Sequence, residues 1–387
     1  MPIYKSKQNP DINSNNEIQY YPADLQPILK WVGGKTQILT PLIDKFPKTI
    51  KGNYYEMFAG GGSVFLELIK RIKQNKLKLN GGNIYVNDIN SNLINLYQHI
   101  KDKPYDLINK IEQFKKEYHD IEDLKEEDEY NENGKKKRKD TKKFDDYDED
   151  DVDTKEAYYY VKRCRYNKIK NDDNKKLERA ALFVFLNKTC WRGVYRENST
   201  GVFNVPFGNH NTVSIYSERQ IKSLNHCFNN NDFKIEFYNE DFRQFIKKIK
   251  KDDFVYMDPP YFPNTLQFEC RPNYLFLKRK DNIDGIFKFK KKGVIYKLDE
   301  NNEPIPTGKS KKVFATYNKE SFGLKEQTEL LEICKKFKKQ KTKFILSNSC
   351  SQWILNEYIN FNIEKIQCKR RINSKKPQDT DFEVFIN

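Results

Sequence analysis

Four consecutive apolar positions, Phe254, Val255, Tyr256 and Met257, follow polar residues and stop abruptly at Asp258. A run that short, rich in aromatic and aliphatic side chains, reads as a strand buried on both faces of a sheet. Pro259 and Pro260 cannot donate to a sheet ladder, so pairing must end at Asp258 and the following residues must project from the sheet's carboxyl edge. Similar short runs occur at Tyr54–Phe58, Asn83–Asn87 and Lys343–Ser349. They alternate with segments of helical period that begin at Ser63, Ser91 and Ser351 and that span Lys325–Lys338. Two more strand-like pieces, Asn362–Ile366 and Phe382–Ile386, close the chain. This alternation predicts βαβ units, a mostly parallel sheet and the α/β class. Residues Thr154–Lys188 read as helical, and "KTCWRGVYRENSTGVFNVPFG" after them reads as a glycine-punctuated hairpin or loop.

The pattern lapses in three places. Residues 1 to 25 are polar, Asn-rich and without period, and read as a loose tail. Residues 119 to 153 are nearly all charge, so they cannot offset the entropy of ordering and read as a disordered insertion. Its "KKKRK", Lys135–Lys139, is either a nuclear-import signal or a solvated charge block, and the second reading carries more weight. Residues 264 to 312, rich in lysine with turn signals at "NIDG" and "IPTG", read as an inserted hairpin with a basic face.

The 387 residues include 71 Lys and Arg against 55 Asp and Glu, a formal charge of +16, which points to a polyanionic partner such as nucleic acid unless it reflects only lysine-rich codon usage. Seven scattered cysteines without a CxxC pair, and no signal-like amino terminus, indicate a reduced, intracellular, soluble protein. No apolar run is long enough for a membrane span. Four histidines, none in ligand spacing, argue against a metal site.

The chemistry-bearing stretches follow the strands. In "YYEMFAGGGSVFLEL", Gly60, Gly61 and Gly62 lie between a strand and a helix, a turn that lets a ligand approach the backbone and the helix amides. The next strand ends at Asp88, whose carboxylate can accept from a ribose diol, so the two together suggest an adenosine-containing cofactor. Upstream, "LKWVGGK" brings a ring, Trp31, a turn at Gly33 and Gly34, and a cation, Lys35, although taken singly the tryptophan reads as core.

The order "KWVGGK", "FAGGGS", "NDIN", "RAALFVFLNKTCWRGVYREN", "FNVPFG", "DPPY" and "ILSNS" resembles the D12 class of adenine-N6 DNA methyltransferases, of the Dam type, from Pro27 onward apart from the two insertions. The resemblance implies a class I S-adenosylmethionine-dependent methyltransferase fold plus a smaller helical and hairpin recognition domain. It divides the chain into a catalytic part, 26–118 and 232–387, and a DNA-recognition part, 154–231. It implies S-adenosyl-L-methionine as cofactor, with Trp31, Lys35, Phe58, Gly60, Gly62, Asp88 and Asp258 around it, and Asp258, Pro259, Pro260 and Tyr261 as the catalytic turn. It implies double-stranded DNA as partner, met by Lys188, Trp191, Arg192, Val194, Arg196 and Pro206, with Trp191 intercalating, Arg196 reading guanine and Pro206 touching a thymine methyl. The relatives most like this sequence read GATC, and a monomer suits a palindrome methylated one strand at a time. Arg192 stands where the family usually has asparagine, which leaves CATG as a competing site. Arg370 and Arg371 are further candidates for phosphate contact. Methylation of RNA adenine or a protein amide, and a non-catalytic DNA-binding relative, are the competing readings; the hairpin favours duplex DNA and the intact motifs favour an enzyme.

Overall fold

The computed structural model describes residues 22–121, 152, 154–209, 214–262, 279–283, 286–289, 322–369 and 380–387. Seven strands form the central sheet: β1 (Tyr54–Glu56), β2 (Ile84–Asn87), β3 (Ile235–Tyr238), β4 (Phe254–Met257), β5 (Lys343–Ser349), β6 (Ile363–Lys369) and β7 (Thr380–Ile386). Their spatial order is β6-β7-β5-β4-β1-β2-β3. From β3 to β5 every neighbour is parallel, whereas β7 runs antiparallel to both β5 and β6.

The two-residue alternation of β4 explains the layers. Phe254 and Tyr256 face a large cluster that includes Phe46, Tyr54, Phe65 and Leu93, while Val255 and Met257 face a second that includes Leu330, Phe337, Trp353 and Tyr358. A central strand with both faces buried needs apolar residues at every position, which is the run seen in the sequence. On the first side lie the helices α1 (Leu39–Ile43), α2 (Ser63–Lys73), α3 (Ser91–Asp102), α4 (Pro104–Asp120), α5 (Lys155–Lys168), α6 (Lys176–Thr189) and α7 (Glu218–Asn229). After the four-residue α8 (Phe242–Phe245), α9 (Leu324–Gln340) and α10 (Gln352–Glu357) cover the second side.

Several elements depart from the sequence reading. The expected helix 154–188 is two helices, because "NDDN" breaks it: Asp172 accepts from the Asn174 amide and caps a short 3₁₀ turn, Asp173–Lys175, before α6. Asp24, placed by sequence in a loose tail, is buried and accepts from Arg219 and Ser223 of α7. Within the basic insertion Arg279–Ile283 pairs antiparallel with Ile286–Phe289. Most of the charged insertion, Lys135–Lys139 included, and Arg370 and Arg371 lie outside the described residues. Among the described residues no helix is long and apolar enough to cross a membrane.

Candidate active site

Pairing along β4 stops at Met257, and Asp258 begins a turn at the carboxyl edge of the parallel strands. The side chain of Lys35, 3% exposed, reaches this turn and sets Nζ 2.6 Å from Asp258 Oδ2 and 2.9 Å from the Gly33 carbonyl. The other carboxylate oxygen, Asp258 Oδ1, is buried and meets no hydrogen-bond donor among the described residues. Burial pushes the Asp258 carboxyl up to about 6 against the opposing pull of Lys35. Tyr261 donates its hydroxyl to Glu383 Oε2 at 2.7 Å, and Lys35 Nζ lies 4.8 Å from the centre of the same ring.

A buried polar lattice holds the turn from behind. Gln327 of α9 donates to the Pro260 carbonyl at 2.8 Å, and Asn348 of β5 donates to Gln327 and accepts from the Phe262 amide. Ser349 donates to the Phe262 carbonyl, and the Phe262 ring stacks on Trp353 at 4.7 Å. Gln327 and Asn348 are both fully buried, and each hydrogen bond inside such a network is worth about 1 kcal/mol, so the prolines are fixed by their neighbours as well as by their rings.

The glycine turn follows β1. Gly60 and Gly62 adopt φ of 51° and 79°, a left-handed backbone that side chains disfavour. A Cβ at Gly61 would stand 2.8 Å from Trp31 Cβ, and one at Gly62 would stand 2.5 Å from the Tyr97 hydroxyl, so packing also demands glycine here. Asp88, at the end of β2, ties the turn down: Oδ2 accepts from the Gly60 amide and Oδ1 from the Asn90 amide, both at 2.8 Å. Burial raises Asp88 to about 6 despite these two bonds. The amino terminus of α2 begins at Gly62 without a side-chain cap, and its amides open on the same edge as Asp88. Phe58 lies between Phe242 and Phe322, at 5.7 Å from each ring. A carboxylate acceptor, uncapped helix amides and an aromatic wall are the donor set that an amino-acid-linked adenosine requires, so these residues fit S-adenosylmethionine.

Trp31 joins this turn to the segment that follows α6. Its ring stacks on Tyr195 and meets Phe183 edge-on. Asn187, buried at the end of α6, accepts from the Lys30 amide and donates to the Lys30 and Gly193 carbonyls. The hairpin 190–208 is closed by Cys190 opposite Phe207 and Glu197 opposite Phe203. At its base, just after Cys190, Trp191 is 49% exposed, with the Arg192 guanidinium 4.6 Å from its ring centre. Arg192 has φ of 57°, the left-handed region in which asparagine is more at ease than arginine. Arg196 is exposed and donates Nε to Asn204 at 2.8 Å. Pro206 is exposed and its carbonyl accepts from the Trp191 amide, while Val194 is half-buried. Lys188 is half-buried, and burial together with the neighbouring Lys30 lowers its pKa.

The sequence-derived residues thus gather into three groups: Lys35 with Asp258 and Tyr261, Gly60 and Gly62 with Asp88 and Trp31, and Lys188 to Pro206 on the hairpin. Lys35 links the first two, since its amide donates to Ser63 Oγ at the start of α2. Sequence reasoning passed over Glu383, Asn348 and Asn187, each a polar residue inside an apolar stretch of a predicted element, and Gln327, which sits among charged neighbours on α9 yet is fully buried. It also passed over Glu56, buried at the end of β1, which accepts from Tyr54 at 2.6 Å and whose carboxyl burial pushes well up. A polar side chain in a buried run is the one signal that marks such positions. Among the described residues no cluster of three histidine, cysteine or acidic side chains is arranged to hold a metal ion.

Residues 31–293 match the D12 class N6 adenine-specific DNA methyltransferase family. The chain belongs to this family. It is 29% identical to the Type II methyltransferase M.MjaIII of Methanocaldococcus jannaschii over 94% of this chain and 99% of that protein. It is 27% identical to the Type II methyltransferase M1.LlaDCHI of Lactococcus lactis subsp. cremoris, over 93% of this chain and 94% of the other. With the DNA adenine methylase of Haemophilus influenzae it shares 25% identity over 93% of this chain and 92% of that one. D12 membership implies S-adenosylmethionine as methyl donor and the class I methyltransferase fold, with which the mostly parallel, helix-flanked sheet agrees.

Proposed function

We propose that this chain transfers a methyl group from S-adenosylmethionine to N6 of an adenine flipped out of duplex DNA, in GATC. The observation that carries the reading is the buried Asp258 Oδ1, an acceptor that meets no donor among the described residues, on a proline turn beside Lys35 and Tyr261.

Adenine's amino nitrogen is a weak nucleophile because its lone pair delocalises into the ring. Asp258 Oδ1 accepts one amino hydrogen and the Pro259 carbonyl the other, which keeps electron density on nitrogen. Lys35 keeps Asp258 ionised against the desolvation that favours its neutral form. Tyr261 stacks on the extruded base, whose removal from the helix costs a few kcal/mol. The bound cofactor supplies an electrophilic methyl group; the α2 amides, Asp88, Phe58, Trp31 and the glycine turn hold it. As nitrogen takes the methyl it must shed a proton, and a carboxylate with a pKa of about 6 is suited to receive it near neutral pH. Orientation on a rigid turn does the rest, without a covalent enzyme intermediate.

Recognition falls to the hairpin 190–208 as a target-recognition unit. Trp191 and Arg192 stack at the hairpin's base and enter the duplex beside the target base, Arg196 donates to guanine, Pro206 meets a thymine methyl, and Lys188 meets phosphate. A second site, CATG, is favoured by one observation, Arg192 beside Trp191 where asparagine is usual. Labelled methyl transfer to adenine in duplex DNA against single-stranded RNA tests the acceptor, and mapping N6-methyladenine on a plasmid from a methylation-free host tests the site. Marks on RNA only, or marks with no guanine 5′ to the adenine, overturn the respective half of the reading.

A further inference from the structure

Glu383 lies on β7, the one antiparallel strand inserted into the parallel set, opposite Ser349 of β5 and Ile366 of β6. Its side chain is only 20% exposed, and it turns toward the catalytic turn. Oε2 accepts from the Tyr261 hydroxyl at 2.7 Å and stands 3.9 Å from Lys35 Nζ, while Oε1 takes a long contact of 3.8 Å from the Cys368 thiol. One buried ammonium therefore faces two carboxylates, Asp258 at 2.6 Å and Glu383 at 3.9 Å, with the Tyr261 ring alongside.

We propose that Glu383 is a positioning residue for methyl transfer: it pins the Tyr261 ring by its hydroxyl and shares the charge of Lys35 with Asp258. The inference rests on the adenine methylation proposed above. Tyr261 is anchored at one end by the backbone turn and at the other by Glu383, so its plane is set before a base arrives. That is the preorganisation a stacking face needs, because the side chain loses no further torsional freedom on binding. The second effect is electrostatic. The titratable groups that face Asp258 are Lys35 from the motif before α1, Glu383 from β7, Tyr261 from its own turn, Tyr256 from β4 and Glu56 from β1. Burial is the main force raising the Asp258 carboxyl; Lys35 opposes it, and Glu383, a second negative charge on the same cation, adds to the rise.

The test is single-turnover methyl transfer to a duplex oligonucleotide at saturating cofactor, followed against pH for wild type, Glu383→Ala, Glu383→Gln, Tyr261→Phe and Glu383→Ala/Tyr261→Phe. Glu383→Ala should slow the chemical step by about ten- to a hundredfold while cofactor and duplex affinities stay within about twofold, since the loss is one of orientation. The glutamine amide oxygen still accepts from Tyr261, so Glu383→Gln should recover part of that loss. Its missing charge should move the acid limb of the rate profile to lower pH. In the Tyr261→Phe background Glu383→Ala should cost much less than alone, because the shared hydrogen bond is already gone. Thermal unfolding checks that each variant is folded, and if the alanine variant is not, the acid limb of Glu383→Gln decides. An unmoved acid limb, or Glu383→Ala rates within twofold of wild type, overturns the proposal. A wild-type enzyme that transfers no methyl to duplex adenine overturns the functional reading instead, an outcome distinguishable because no variant need be compared.

Discussion

Trp31 stacks on Tyr195, ring centroids 5.3 Å apart and planes 23° apart, and so joins the glycine turn to the hairpin that carries Trp191. The Trp31 side chain also lies against Gly60 and Gly61: a Cβ at Gly60 would stand 3.0 Å from the indole Cδ1, and one at Gly61 2.8 Å from the Trp31 Cβ. One ring therefore packs against both the glycine turn and the hairpin.

A double-mutant cycle on Trp31→Ala and Tyr195→Ala should return a coupling of about 0.5–1.5 kcal/mol, the range for a stacked aromatic pair beyond its area burial. Denaturant unfolding measures it. Trp31→Ala should also weaken both cofactor and duplex binding, and a loss confined to one of them would break the proposed link.

Asp258→Asn should cut single-turnover methyl transfer severely while duplex affinity stays roughly intact, since it replaces an acceptor at the reacting amine with a group that also donates. In the proposed mechanism the ionised carboxylate is the active form. With Asp258 held at about 6 by burial, the rate should be full above that pH and fall as pH drops through it. A flat profile down to the usual carboxylate range would exclude Asp258 as the titrating group.

Asp88→Ala leaves the Gly60 and Asn90 amides without their acceptor. Stranding partly buried donors costs about 1–3 kcal/mol, so the variant should lose stability and bind S-adenosylmethionine roughly ten- to a hundredfold more weakly. Calorimetry on the folded protein decides it, and unchanged affinity would remove Asp88 from the cofactor site.

Arg192→Gly should stabilise the hairpin slightly. A side chain in the left-handed region costs about 1–2 kcal/mol, more than the roughly 0.5–1 kcal/mol that an exposed cation–π contact with Trp191 returns. Added backbone freedom in the unfolded chain offsets part of the difference, so a rise of no more than about 1 kcal/mol is expected by denaturant unfolding. A loss of stability would mean the Trp191 contact is the stronger term.

Arg196→Ala and Lys188→Ala should differ in kind. Loss of a bidentate contact to guanine should cost about 1–3 kcal/mol of discrimination at that base pair, whereas loss of a phosphate contact should weaken all duplexes alike and reduce the salt slope. Competition binding with single-base variants of GATC separates them, and equal losses on every duplex for Arg196→Ala would make it another phosphate contact.

What could be read from the sequence was whatever depends on neighbours along the chain. The apolar run Phe254–Met257, the prolines that end it, the glycines after β1 and the acid after β2 are local rules of period, ladder donors and backbone freedom, and they were enough to expect an α/β sheet with a ligand at its carboxyl edge. Elements that such rules signal weakly escaped notice: β3 and α7 lie in polar, Asn-rich sequence and take their form from packing, with Ile221, Leu224 and Ile235 buried against the core. Tertiary structure alone decided which distant residues complete the site. Glu383 lies 122 positions from Tyr261, Asn348 86 from Phe262, and Gln327 67 from Pro260. No periodicity links positions so far apart. They meet because β7 is inserted between β5 and β6 and because α9 packs on the face that Val255 and Met257 present, so the sheet order, a consequence of burying both faces at once, selects the partners of the catalytic turn.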